Sequence, residues 1–149
     1  MSKLRHIALS VPDPWAAADF YVKAFGLHKV GETDNPTAVG VFLTDGVINI
    51  ALLKFKADEY AGEEHGKDFV GLHHLGFWVD DATQACEAAE AAGARYWMGE
   101  VPDAGENSFY EVKYRDPNGI IFDISARGWG GAVKDVTESE ASPPLAALK

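Results

Sequence analysis

Residues 71–81 read GLHHLGFWVDD and place two histidines, His73 and His74, at the head of an apolar, strand-like run. Residues 3–13, KLRHIALSVPD, follow the same plan, with one histidine, His6, before small and apolar residues and an acidic residue that suits a helix start. Apolar and polar residues alternate in both stretches, which is typical of half-buried strands. One histidine of the pair should therefore correspond to His6.

An internal repeat assigns this correspondence to His74. His6 and His74 are 68 residues apart (74 − 6), and two glycines suited to end helices, Gly26 and Gly93, are 67 apart (93 − 26). Two landmarks with nearly the same offset indicate a duplication. Neighbouring residues of a strand face opposite sides of the sheet, so His73 is expected to point towards the helices or to lie at a solvated edge.

Each half of the repeat reads as a strand, a helix and three strands. The first module covers residues of about 4–54 and the second about 71–126, joined by a charged linker, 55–70. We therefore expect a single α+β domain over residues 1–131. The remainder, 132–149, is acidic and contains prolines, and is expected to be a poorly ordered tail.

Composition narrows the classes of partner. The chain of 149 residues carries a formal charge of −10 at pH 7, which disfavours binding to nucleic acid or to anionic membranes. No apolar run is long enough to span a bilayer, and the N-terminus lacks the apolar core of a secretion signal. The one cysteine excludes an internal disulfide and fits a reducing compartment, so we expect a cytoplasmic protein.

The repeated motifs resemble those of the vicinal oxygen chelate superfamily, which includes glyoxalase I, bleomycin-resistance proteins, methylmalonyl-CoA epimerase and extradiol dioxygenases. The resemblance is carried by LRHIALSV and FYVKAFGL in the first half, and by LHHLGFWVDD, AAGA and YRDPNGIIFDIS in the second. It implies two βαβββ modules whose mixed sheet is cupped around a cavity for a metal or ligand. It also implies a small-molecule substrate and a homodimer.

The resemblance implies metal ligands on the first and last strands of the modules. The first-strand positions fall on His6 and His74, and the last-strand position of the second module falls on Asp123, four residues after the glycine of the DPNG turn. Asn49 stands where glyoxalase I has a glutamate, and we expect it to form hydrogen bonds in the pocket. Two histidines and a carboxylate suit Fe(II), which is slightly favoured, or divalent Mn, Ni, Zn or Co.

Charged neighbours leave an alternative to the metal open. A carboxylate such as Asp123 on an apolar strand needs a cation or hydrogen-bond donors, and Lys113 or Arg115 across the hairpin could provide them. Glu111 and Lys113 share the inward face, where they are candidates for an acid–base pair beside the substrate or for an ion pair across the sheet.

Aromatic residues of the second module divide between the two faces of the sheet. Trp78 and Phe109 have the inward parity and are predicted to line the pocket, or else to fill the interior. Tyr114 has the opposite parity and is predicted to be a core residue. Trp129 either closes over the pocket or anchors the tail.

Three functions follow from these residues. The first is a metal-dependent dioxygenase acting on a small, chelating, oxygenated substrate, favoured because Asn49 removes a glyoxalase base. The second is a lyase or isomerase of the glyoxalase or epimerase type. The third is a metal-free binding protein of the bleomycin-resistance kind.

Overall fold

The strands of the two repeats join edge to edge in one eight-stranded sheet. The structure is a computed structural model that describes residues 1–103 and 109–137. Its first module comprises β1 (Lys3–Ser10), α1 (Pro14–Phe25), β2 (His28–Asp34), β3 (Ala38–Thr44) and β4 (Asn49–Phe55). A short helix, α2 (Asp58–Ala61), lies in the linker. The second module comprises β5 (Gly71–Trp78), α3 (Ala82–Ala91), β6 (Arg95–Met98), β7 (Val112–Arg115) and β8 (Ile121–Ser125).

Local sequence sets the helix that follows the first strand of each module. The Asp13 carboxylate caps α1 by accepting hydrogen bonds from the amides of Trp15 and Ala16, and Gly26 ends it with a φ of 70°. Asp81 caps α3 in the same way by accepting from the Gln84 amide. Both helices therefore begin shortly after the first strand of their module, as the sequence predicts.

The strand order is β2-β3-β4-β1-β5-β8-β7-β6, so the first and last strands of both modules occupy the centre of the sheet. β1 and β5 pair antiparallel across the junction, while β1–β4 and β5–β8 are parallel pairs. His6 lies opposite Asn49 on one side and Gly76 on the other, and Gly76 lies opposite Asp123. The pairing thus brings the candidate ligands of both modules to one place.

The helices cover one face of this sheet with apolar residues. Beneath α1 the buried cluster contains Val41, Leu43 and Leu52, and beneath α3 it contains Val112, Tyr114 and Ile124. Tyr114 is buried, as predicted, and its hydroxyl donates to Glu90 at 2.8 Å. The α+β fold predicted from the repeat is confirmed, and the opposite face of the central strands is left for polar side chains.

Residues 126–137 leave β8 and return across the first module. The Arg5 guanidinium donates to the carbonyls of Val133 and Lys134, and the Thr44 hydroxyl donates to the Gly131 carbonyl at 2.7 Å. The Val133 amide also donates to the Val47 carbonyl at 3.0 Å, so the start of the predicted tail is attached at Val133 and Lys134 to β1 and to the β3–β4 connection. The rest of that predicted tail, 138–149, lies outside the described residues.

No helix in the described ranges is both long enough and apolar enough to cross a membrane.

Candidate metal centre

Three buried side chains from adjacent central strands converge. The ligand atoms of His6 on β1, His74 on β5 and Asp123 on β8 all lie within 4.8 Å of one another. His74 Nε2 is 3.1 Å from His6 Nε2 and 3.2 Å from Asp123 Oδ2, and His6 Nε2 is 4.0 Å from the same oxygen. The sheet therefore brings together the three residues predicted as metal ligands.

Burial keeps both imidazoles neutral. It lowers the pKa of His6, and it lowers the pKa of His74 to about 4, although the Asp123 carboxylate acts in the opposite direction. For Asp123 burial opposes ionisation, but the Lys113 ammonium, 2.7 Å from Oδ1, lowers the pKa of the carboxyl well below its usual range. At neutral pH two imidazole nitrogens with free lone pairs can thus face one carboxylate.

The oxygens of Asp123 provide a test of whether these residues fit a cation. Oδ1 accepts a hydrogen bond from Lys113 Nζ at 2.7 Å, whereas the buried Oδ2 accepts none from the described parts of the chain. An orphaned buried carboxylate oxygen beside two imidazole nitrogens is costly without a positive charge. The donor set fits a divalent transition metal with two histidines and one carboxylate, and does not select among such metals.

Asn49 orients His6. Its side-chain amide donates to the Gly130 carbonyl at 2.8 Å, so its Oδ1 faces His6 Nδ1 at 2.7 Å. An amide oxygen only accepts, and His6 Nδ1 must therefore carry the proton. His6 Nε2 is left with its lone pair towards His74 and Asp123.

A cavity of about 560 Å³ opens above the three side chains. Its floor is polar and includes His6, His74 and Asn49, while its walls include Phe42, Leu53, Phe55 and Met98. Phe109 lines it from the rim with 58% of its surface exposed. Small molecules bind in cavities of this kind, in which apolar walls surround a few convergent polar groups.

Trp78 does not line the cavity, contrary to the prediction from its parity. The chain after β8 crosses this end of β5, so that the indole ring packs against Gly128 and its N–H donates to the Ala126 carbonyl at 3.2 Å. Alternation along a strand gives the face of a side chain, but it does not tell which later segment covers that face.

Trp129 takes the place beside the ligands. Its ring stacks on His6 with centroids 4.8 Å apart and an interplanar angle of 7°, and its indole N–H donates to Glu111 Oε1 at 2.6 Å. The ring lies over Gly76, which is two residues from both His74 and Trp78 along β5. Of the two interpretations open from the sequence, closure over the pocket is the one that the contacts support.

Gly76→Ala is expected to destabilise this arrangement. A Cβ at Gly76 would lie 2.6 Å from His6 Cβ and 2.8 Å from Cζ2 of Trp129, so one of the two rings must move. We expect a loss of roughly 1–3 kcal/mol in the free energy of unfolding, measured by urea denaturation. Gly130→Ala is the matched control, because among the described residues its Cβ would meet Val30 alone, at 4.0 Å. Equal stability of the two variants would contradict the prediction.

Glu111 and Lys113 form a chain of charges that ends at Asp123. Lys113 Nζ lies 3.2 Å from Glu111 Oε2 and 2.7 Å from Asp123 Oδ1, and both residues line the cavity. Burial opposes the ammonium charge, but the two carboxylates raise the pKa of Lys113 above its usual range. Arg115, the other predicted partner of Asp123, instead pairs with Glu64.

His73 lies elsewhere than the strand alternation predicts. Along the β1–β5 pairing, Ala8 is opposite His74 and Leu9 is opposite Leu72, so His73 is the extra residue of a β-bulge. It is 3% exposed, its Nδ1 lies 2.8 Å from His74 Nδ1, and its Nε2 lies 2.5 Å from the Ala61 carbonyl oxygen. The expected solvated edge is wrong, and the helix that the ring contacts is α2 of the linker, because the bulge turns the ring towards His74 and the Ala61 carbonyl.

Comparisons with known proteins point to one family. A sequence model of the Glyoxalase/Bleomycin resistance protein/Dioxygenase superfamily matches residues 3–124. The ethylmalonyl-CoA/methylmalonyl-CoA epimerase of Cereibacter sphaeroides is 25% identical over 130 residues, which cover 83% of this chain and 97% of that protein.

Solved structures of the same fold include a Streptomyces coelicolor methylmalonyl-CoA epimerase in complex with 2-nitronate-propionyl-CoA. Its TM-score is 0.66 at 18% identity, with 82% of this chain and 94% of that chain covered. A hypothetical protein from Bacillus halodurans has a TM-score of 0.65 at 18% identity, with 92% of this chain and 98% of that chain covered. With the family match spanning both modules and all three converging side chains, the chain belongs to the Glyoxalase/Bleomycin resistance protein/Dioxygenase superfamily.

Proposed function

We propose that this protein is a metal-dependent isomerase of the epimerase type, which moves a proton on a carbon next to a carbonyl group. The observation that carries the proposal is the convergence of His6 Nε2, His74 Nε2 and Asp123 Oδ2 at a place where the two histidines line a cavity and Oδ2 has no hydrogen-bond donor among the described residues. A second carboxylate, Glu111, lies in the same cavity and is not one of the three converging groups.

His6, His74 and Asp123 would hold the divalent metal. When bound, such a metal supplies a Lewis acid that polarises a carbonyl oxygen and so acidifies the neighbouring C–H. Two histidines and one carboxylate leave coordination positions for oxygens of the substrate. The apolar walls exclude water from the rest of the substrate and strengthen these electrostatic interactions.

Glu111 is the group that we assign to proton transfer. Its carboxylate accepts the proton as the C–H bond breaks and later releases it to solvent, and a proton from solvent delivered to the opposite face of the same carbon completes the epimerisation. Trp129 donates to one Glu111 oxygen and Lys113 lies against the other, so the carboxylate is held in one orientation. Lys113 stays protonated and balances the charges of Glu111 and Asp123.

The similar proteins favour this isomerase over the dioxygenase preferred from the sequence. Those compared above are epimerases by name where they have a functional name. The resemblance to extradiol dioxygenases implies a tyrosine in the KYRDPNG segment, but Lys113 stands in its register and the neighbouring Tyr114 is buried beneath α3. For the substrate we propose a small acyl compound with an acidic hydrogen beside its carbonyl, and a 2-substituted malonyl thioester is the first compound to test.

The test is hydrogen exchange at that carbon. Protein reconstituted separately with Co(II), Mn(II), Ni(II), Zn(II) or Fe(II) is mixed with racemic methylmalonyl-CoA in D₂O, and loss of the 2-proton signal is followed by NMR. We expect metal-dependent exchange well above the rate with chelator-treated protein. Binding of the thioester without exchange under any metal would favour the metal-free binding protein. Oxygen uptake with catechol under Fe(II), without exchange, would favour the dioxygenase.

A further inference from the structure

We propose that His73 is a positioning residue that fixes the tautomer of His74 and so presents the His74 Nε2 lone pair to the metal. The inference deepens the proposed function, on whose metal site it rests. It begins from two contacts of one buried ring, Nε2 to the Ala61 carbonyl oxygen at 2.5 Å and Nδ1 to His74 Nδ1 at 2.8 Å.

The first contact determines where the proton of His73 lies. A backbone carbonyl oxygen only accepts hydrogen bonds, so His73 Nε2 must be the donor. The ring is only 3% exposed, and a charge there would be costly, so it carries a single N–H. The ring is enclosed by Phe55, whose centroid lies 4.5 Å away, and by the fully buried Ala61. His73 Nδ1 is therefore an acceptor.

The second contact transfers this assignment to His74. Because His73 Nδ1 accepts, His74 Nδ1 must carry its proton, and its Nε2 keeps a free lone pair. That atom is the one 3.2 Å from Asp123 Oδ2 and 3.1 Å from His6 Nε2. A histidine that binds a metal through Nε2 is generally held by an acceptor at its other nitrogen.

The linker between the modules holds the Ala61 carbonyl oxygen, which accepts the hydrogen bond from His73, in a fixed position. Ala61 ends α2, and the following Gly62 amide donates to the Asp58 carbonyl at 3.2 Å. The Asp58 carboxylate in turn accepts from the Lys67 amide at 2.9 Å, which closes the loop beneath His73. The position of the Ala61 oxygen is thus set by a folded segment, and the bulge at His73 aims the ring at it.

His6 is oriented by a separate pair of hydrogen bonds of the same kind. There the acceptor at Nδ1 is Asn49 Oδ1, and the fixed end is the Gly130 carbonyl, which accepts from the Asn49 amide. Both imidazoles are therefore oriented through one intermediate side chain that ends on a backbone carbonyl. The contact between Asn49 and His6 also shows that an amide oxygen can be the acceptor for the Nδ1–H of a candidate ligand histidine. In His74 that acceptor is Nδ1 of His73.

Two variants separate this role from simple packing. His73→Phe keeps an aromatic ring but removes both nitrogens, whereas His73→Asn restores an acceptor close to the position of Nδ1. The first readout is the tautomer of His74, measured by ¹⁵N-histidine NMR on chelator-treated protein at neutral pH. We expect the Nδ1–H form in the wild type and in His73→Asn, and loss of this preference in His73→Phe.

The second readout is the dissociation constant for Co(II), measured by titration of the same three proteins. We expect a rise of about 10–100-fold in His73→Phe and of a few-fold at most in His73→Asn. An Nε2–H tautomer in the wild type, or a His73→Phe protein with unchanged tautomer and affinity, would overturn the inference. Failure of the wild type to bind Co(II) would instead refute the metal site, while the NMR result would still decide the tautomer.

Discussion

Asp123→Asn is expected to abolish tight metal binding while leaving the metal-free fold nearly as stable as the wild type. In the wild type, Oδ2 faces two imidazole nitrogens and accepts no hydrogen bond from residues 1–103 and 109–137, which disfavours the metal-free state. An asparagine keeps an oxygen for Lys113 and places an N–H₂ group where Oδ2 was, as a donor to His74 Nε2. The free energy of unfolding without metal should therefore change by less than about 1 kcal/mol, because two contributions oppose each other.

The matched variant is Asp123→Ala, which leaves the Lys113 charge without its nearest partner and the imidazoles without a donor. We expect it to cost roughly 3–5 kcal/mol of metal-free stability. Thermal unfolding of the three proteins, with and without Zn(II), measures both effects. Wild-type protein should gain about 2.7 kcal/mol at a Zn(II) concentration a hundredfold above the dissociation constant, and neither variant should gain at that concentration. If Asp123→Asn were as unstable as Asp123→Ala without metal, Asp123 would be mainly the partner of Lys113.

The main features of the fold could be predicted because they depend on local patterns that occur twice. The capping residues Asp13 and Asp81 and the spacing of His6 and His74 define the two modules without any tertiary information. Asp123 could be predicted because the family resemblance implies a ligand four residues after the glycine of the DPNG turn. The convergence of these residues then follows from the pairing of β1, β5 and β8.

The parts that could not be predicted depend on irregular backbone and on long-range packing. A bulge at His73 reverses the side of the sheet that strand alternation gives, and no residue of the GLHHLGFWVDD stretch signals it. Trp78 is absent from the cavity lining because residues 126–131 cross the end of β5, and the sequence alone could not choose between the two places open to Trp129. Homodimer formation and the identity of the metal stay predictions.

Glu111→Gln is expected to remove proton exchange and to leave metal binding intact. The glutamine is nearly isosteric and can accept one hydrogen bond from Trp129 or Lys113, but it cannot take a proton from carbon at neutral pH. The exchange rate with methylmalonyl-CoA should fall by about 10²–10⁴-fold, which is the usual contribution of a positioned general base. Because Glu111 is not among the converging ligand atoms, the dissociation constant for Co(II) should change by no more than a few-fold.

Two further substitutions test whether Glu111 is the proton acceptor. Glu111→Asp keeps a carboxylate one methylene further from the substrate, and its exchange rate should lie between those of the wild type and Glu111→Gln. Glu87→Gln, at an exposed position of α3, removes the same charge far from the cavity and should exchange at the wild-type rate. Exchange at the wild-type rate in Glu111→Gln would exclude Glu111 as the proton acceptor and leave Asp123 as the other carboxylate near the cavity floor. Loss of Co(II) binding in Glu111→Gln would mean that the Glu111–Lys113–Asp123 chain stabilises the metal site rather than moving the proton.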